Sequence, residues 1–172
     1  MTRQFSQRAG LLAFLLLALT ALAGQANAQG ARPAFLKATA VAPKTVTPGQ
    51  PFDLTVTVVI DAPYHIQANP ATEGYIATEV KLGAVKGLTA GKVTYPAGMP
   101  VTIAGDKLTV YEGTIKVTVS VTPDKTLKPG KLSLPFSVHY QGCNDQVCYP
   151  PADAQATVAL SVGKPAKKVA SR

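Results

Sequence analysis

Strict alternation of apolar and polar side chains constrains this chain more than any other feature. Between Phe52 and Ile60 the apolar residues Phe52, Leu54, Val56, Val58 and Ile60 alternate with Asp53, Thr55, Thr57 and Val59. Residues 115–121 repeat the pattern with Ile115, Val117, Val119 and Val121, and residues 132–140 with Leu132, Leu134, Phe136, Val138 and Tyr140. Ala156, Val158, Leu160 and Val162 form a fourth run. A period of two with one wet face belongs to strands of an antiparallel sheet packed on one side. After the N-terminal segment no window carries an i, i+3, i+4 stripe long enough for a helix.

Turn residues punctuate these runs at short intervals: Pro48-Gly49, Asp61-Ala62-Pro63, Lys86-Gly87, Gly98-Met99-Pro100, Gly105-Asp106, Pro123-Asp124 and Pro129-Gly130. With 14 Gly and 14 Pro in 172 residues, the pattern predicts an all-β chain, an immunoglobulin-like antiparallel β-sandwich rather than a closed barrel. Pro135 falls mid-strand on the outward face, which predicts an edge strand or a bulge there.

The N-terminus reads differently. Arg3 and Arg8 precede an apolar run at residues 11–22, broken by Thr20, and Ala26-Asn27-Ala28 follows as a small-residue cleavage site. This is the three-part pattern of a secretory signal peptide, and its apolar core is short for a membrane span. The expected organisation is a signal peptide at residues 1–28, one domain at 29–163 and a disordered basic tail at 164–172. A domain of that length buries roughly two thirds of its unfolded surface, so it needs no staple to fold.

The formal net charge of +8 invites a nucleic-acid reading that charge placement removes. Two of the positives lie in the signal segment and four in the tail, whereas residues 29–163 carry eleven basic and nine acidic side chains. A nucleic-acid binder concentrates its excess on the folded body. A soluble, monomeric, exported domain without a nucleic-acid partner is the expectation. No Ser-His-Asp arrangement, phosphate loop or paired-carboxylate motif stands out.

The two cysteines, Cys143 and Cys148, lie in the segment YQGCNDQVCYPP at residues 140–151. Export favours their pairing, and Asn144-Asp145 supply a turn that brings them across a hairpin. A structural staple is the commonest fate of such a pair. Closing so short a loop contributes only about 2 kcal/mol by the chain-entropy relation, and a tight, exchange-labile bond is the other fate. The residues alone leave both open.

The segment YQGCNDQVCYPP resembles the active-site segment of the N-terminal periplasmic domain of the DsbD thiol:disulfide interchange family. Upstream, residues 62–70 (APYHIQANP) and 75–80 (YIATEV) are similar to that family in order and spacing, so the likeness spans residues 48–162. It implies an immunoglobulin-like domain, a thiol:disulfide oxidoreductase free of cofactor and metal. It implies further that electrons come from a membrane-embedded thiol reductase and pass to periplasmic thioredoxin-fold or other disulfide-bonded clients. By the same resemblance Cys148 is the exchanging thiol and Cys143 the resolving one. A cap over the pair maps to residues 96–106, where Met99, Pro100, Val101 and Ile103 are the apolar residues able to lie over sulfur. Full-length family members continue into membrane and thioredoxin-like domains; this sequence does not, which implies a separately encoded electron donor or another use for the pair. The cap tip here also lacks the aromatic residue of some relatives.

His65 is a candidate for influencing thiol ionisation, because a neighbouring cation favours thiolate; a packing role is the alternative. Tyr149-Pro150-Pro151 fixes an extended backbone that presents Cys148 at a sheet edge. Asp145, between the cysteines, disfavours a thiolate, and His139 falls on the polar face of its strand. Two other classes stay open beside exchange. One is an accessory binding module with a structural disulfide; the other is a copper(I) site drawing on cysteine, histidine and Met99, since soft ligands suit that ion.

Overall fold

The computed structural model describes residues 34–164, and these contain strands and no helix. The strands are β1 (Leu36–Val41), β2 (Phe52–Ile60), β3 (His65–Gln67), β4 (Glu79–Leu82), β5 (Leu88–Thr94) and β6 (Met99–Ile103), then β7 (Asp106–Tyr111), β8 (Gly113–Pro123), β9 (Gly130–Tyr140), β10 (Gly142–Cys143) and β11 (Ala152–Val162). They form three antiparallel sheets, ordered β1-β2-β8-β5, β11-β9-β4 and β10-β3-β7-β6. The expected signal peptide, and all of the expected tail but Lys164, lie outside the described residues.

The alternating runs do what their period requires. Leu54, Val56 and Val58 of β2, Val117 and Val119 of β8, Leu134, Phe136 and Val138 of β9, and Leu160 of β11 turn inward. Together they fill one core between the β1-β2-β8-β5 and β11-β9-β4 sheets. Two apolar faces packed in this way are the immunoglobulin-like sandwich that the alternation predicts. The β2–β8 ladder runs without a break from Phe52 opposite Val121 to Ile60 opposite Gly113.

Two chain segments leave the sandwich to build the small sheet. After Tyr111 the chain passes Glu112 and bends at Gly113, whose φ of 63° is left-handed, so β7 continues as β8 in a different sheet. After Tyr140 it passes Gln141, and β9 continues as β10. Strands that change sheets at a bend make the corners of such folds. Cys143 therefore sits at the end of a segment whose preceding strand is anchored deep in the main core.

The expectation for Pro135 needs correcting. Strand β9 is neither an edge nor bulged: it pairs β11 in unbroken register from Gly130 to Tyr140 and β4 on its other side. The last β4 pair is Leu82 with Phe136, and the Gly83 N–H donates to the Pro135 carbonyl. The ring's missing N–H faces the same side, so the return bond to the Gly83 carbonyl is not made and the β4 ladder stops at Leu82. The closing strand also starts earlier than its alternation suggested, at Ala152, because Ala152 and Ala154 continue the inward face with small side chains.

Candidate functional site

The small sheet has two different faces. Ile66 of β3 and Tyr111 of β7 pair and belong to the main core. One residue along, Gln67 pairs Val110, and alternation turns these to the opposite side. There Val110, Leu108, Ile103 and Cys143 form a second small cluster, against which Tyr75, Val101 and Cys148 pack.

Cys143 and Cys148 form a disulfide whose Cα atoms are 3.9 Å apart, paired directly across a hairpin. Cys143 is fully buried (0% exposed) and Cys148 is half-buried. Because β10 is the outer strand of its sheet, Cys148 lies outside even that edge. The hairpin is pinned by the Asn144 N–H donating to the Val147 carbonyl and the Tyr149 N–H to the Gly142 carbonyl. Asn144 Oδ1 accepts from the N–H groups of Gln146 and Val147, both at 2.9 Å. This is the side-chain turn for which Asn is suited. The residue before Cys143 must be small, since a Cβ on Gly142 would stand 2.1 Å from Phe35 Cζ.

The other residues singled out from sequence divide between two places. Tyr149 joins an aromatic group: its ring centroid lies 6.3 Å from Phe35 and 6.2 Å from Tyr64, which themselves stack at 4.3 Å. Its hydroxyl accepts from Asn144 Nδ2 at 3.0 Å, so it anchors the hairpin from below. His65 pairs with Cys143 across β3 and β10. Its Nε2 lies 3.1 Å from Glu112 Oε2, and with Tyr64, Glu112 and Asp145 it lines a surface groove next to the cysteine hairpin. His139 meets Asp153 at 2.9 Å on the polar face of β9, away from the cluster.

The stretch mapped to a cap is a β-hairpin rather than an irregular loop. Strands β6 and β7 join through Ala104-Gly105, both with positive φ (50° and 94°), as a tight two-residue hairpin turn requires. Met99, Val101 and Ile103 share the face of Val110 and Leu108 by register. Ile103 is buried and Val101 half-buried against the cluster, whereas Met99 (43% exposed) and Pro100 lie at the rim. Pro100 is tolerated because β6 is an edge strand.

Three contributors were not among the sequence candidates. Tyr75 packs against the cluster, and its hydroxyl donates to Asp106 Oδ2 at 2.8 Å, joining the β3–β4 loop to the cap hairpin. That bond, then burial and the carboxylate's charge, raise the Tyr75 phenol above its ordinary range. Gln67 is fully buried and its Nε2 donates to Cys143 Sγ at 3.5 Å. Gln67 and Tyr75 lie in the segments likened to the family and Asp106 in the cap range, but nothing local marked any of the three as reaching the cysteines. Among the described residues, no group of three or more His, Cys, Asp or Glu side chains is placed to hold a metal ion.

The N-terminal domain of thiol:disulfide interchange protein DsbD matches residues 32–160, most of the chain. The chain belongs to this DsbD N-terminal family. The family's chemistry is thiol–disulfide exchange, and this chain holds a disulfide between Cys143 and Cys148. Among solved structures, the chain is similar to the N-terminal periplasmic domain of ScsB from Proteus mirabilis, with 13% identity and a TM-score of 0.54. The match covers 79% of this chain and 50% of that one, so the chain spans half the length of the ScsB chain, and the likeness is one of fold. The reduced DsbD N-terminal domain of Neisseria meningitidis matches with 20% identity and a TM-score of 0.47, over 79% of this chain and 95% of that one. No curated protein matches.

Proposed function

We propose that this DsbD-family domain is a periplasmic electron relay, taking reducing equivalents from a membrane-embedded thiol reductase and delivering them to thioredoxin-fold or other disulfide-bonded clients. In this reading residues 1–28 direct export, residues 29–163 are the working domain, and 164–172 are a basic tail. The carrying observation is the asymmetry of the pair: Cys148 is half-buried at a sheet edge, while Cys143 is sealed in the small cluster. An exchange relay needs one sulfur that meets the partner and one that breaks the mixed disulfide from within. Cys148 takes the first role and Cys143 the second. The β6–β7 hairpin acts as the cap, with Val101 and Ile103 over the pair and Met99 and Pro100 offered to a docking partner. His65 and Tyr149 set the opposite border, and Tyr149 holds Cys148 in place through the aromatic group.

Single-cysteine variants incubated with a thioredoxin-fold partner test the assignment by mass spectrometry. Cys143→Ala should trap a stable mixed disulfide through Cys148, and Cys148→Ala little or none. The reverse pattern exchanges the roles. No adduct from either variant leaves a structural disulfide as the better account.

A further inference from the structure

Buried polar atoms without partners are rare in native folds, and each one calls for an explanation. Among the described residues there are two, His65 Nδ1 and Gln67 Oε1, and both lie on β3, the strand paired with the cysteine strand β10. Gln67 is the more informative. It is fully buried, yet it is held firmly: its N–H donates to the Gln141 carbonyl, and its own carbonyl accepts from the buried Thr78 hydroxyl. With the backbone fixed at both ends, its carboxamide places Nε2 at 3.5 Å from Cys143 Sγ and leaves Oε1 unpaired. Packing alone would be met by an apolar side chain of the same size without an orphaned carbonyl.

We propose that Gln67 is a positioning residue for the exchange reaction, its carboxamide serving the Cys143 sulfur in each of its states. Toward the disulfide or the thiolate, Nε2–H donates to sulfur. Toward the thiol, rotation about the last side-chain torsion exchanges the two ends, and Oε1 accepts the S–H. The orphaned acceptor of the oxidised domain thus gains its partner on reduction.

The inference rests on the exchange reading above, in which the sequence of bonds is as follows. The Cys148 thiolate attacks a client disulfide, a Cys148–client bond forms, and the first client sulfur leaves as a thiolate that takes up the proton Cys148 lost. Cys143 then gives up its proton, and its thiolate attacks Cys148 Sγ. The Cys143–Cys148 bond forms, the Cys148–client bond breaks, and the second client thiolate departs and is protonated. Two electrons pass to the client. The costly species is the Cys143 thiolate, formed where burial disfavours charge. Gln67 Nε2–H is aimed at that atom. The titratable groups around it are His65 across β3 with Glu112 beside it, Asp145 and Cys148 in its own hairpin, and Tyr75 with Asp106 on the cap side. Gln67 supplies a neutral donor that works at any pH.

The Cys148→Ala protein isolates the Cys143 thiol, which is titrated by the ultraviolet absorbance of its thiolate. Adding Gln67→Met keeps bulk and removes the donor. The thiolate fraction at a fixed pH below the midpoint should fall roughly tenfold, the excess of a hydrogen bond to the ion over one to the neutral thiol. An unmoved midpoint in the folded double variant would overturn the role of Gln67. Should that variant fail to fold, the side-chain amide resonances of Gln67 in the reduced Cys148→Ala protein serve instead. They should titrate with the Cys143 midpoint, and flat resonances would overturn the inference equally. Glutathione exchange by the wild-type pair separates the two readings. Exchange with an unmoved midpoint removes Gln67 alone, whereas a shifted midpoint without exchange removes the relay and leaves the hydrogen bond.

Discussion

The main core and the small cysteine cluster are built from the same alternation but to different standards. Between the two large sheets the inward positions are filled mostly by Val, Leu, Ile and aromatic rings, with alanines on β1 and β11, on strands of up to eleven residues and long registers. The cysteine cluster sits on strands of two, three, five and six residues, and admits a glutamine, a half-exposed cysteine and a rim methionine. A group that must be made, broken and touched by partners is better carried where few cooperative contacts depend on it. The long β9 strand ties the cluster to the sandwich, so the sulfur is held by the stable region without sharing in its packing.

Damage to the main core should be felt by the whole domain, and damage to the disulfide only locally. Leu134 is buried in the main core, and Leu134→Ala should cost about 3 kcal/mol through lost burial and a residual cavity, lowering the denaturant midpoint of the whole domain. Reducing the disulfide should cost about 2 kcal/mol at most by the chain-entropy relation and leave the far-ultraviolet circular dichroism unchanged. If reduction unfolds the sandwich while Leu134→Ala is tolerated, the two regions are not independent and the pair is a staple.

The same contrast explains what could be read from sequence. Strand β2 is legible to the residue because Phe52–Ile60 alternates without interruption. Strand β1 is hard to read because its inward residues after Leu36 are Ala38 and Ala40, too small to stand out. Strand β5 is hidden because its register shifts between Ala90 and Val93, around Gly91, and breaks the period. Strands β3 and β10, of three and two residues, are too short to carry any period. The cysteine hairpin was legible from its own turn residues and flanking motif, all within one local segment. Tyr75, Asp106 and Gln67 reach it from elsewhere in the chain, and only the topology brings them together.

A middle-sized effect belongs to the seam between the regions. Gly142 carries the chain past Phe35, and a Cβ there would lie 2.1 Å from the ring. That ring is buried and stacked on Tyr64, so it has little room to yield. Gly142→Ala should destabilise the domain by about 1–2 kcal/mol, within the range for overpacking. It should also loosen Tyr149 and the Cys148 hairpin more than the sandwich. Hydrogen exchange would show it: faster exchange at the Tyr149 and Asn144 amides, with β2 and β8 protected as before. Equal loss of protection everywhere would mean that seam and core unfold as one.

The weakest link lies at the outer edge of the cluster, where the cap hairpin meets the β3–β4 loop. The link is the Tyr75 hydroxyl donating to Asp106, on an exposed pair. Tyr75→Phe keeps the ring against the cluster and removes only that bond. Its thermal midpoint should match wild type, since exposed polar changes away from special features matter little to the fold. Alkylation of the reduced cysteines should nonetheless quicken roughly twofold, as expected when one weak hydrogen bond restraining a cover is lost. The pH dependence has a definite sign. Because the bond to Asp106, then burial, raise the Tyr75 phenol, the neutral donor persists through the ordinary phenol range and ionises above it, where phenolate and carboxylate repel. The latch should therefore hold below that range and fail as the pH rises through the raised value, and there the rates of wild type and Tyr75→Phe should converge. A rate ratio of one at neutral pH would show that the tip of the hairpin is held by Val101 and Ile103 alone.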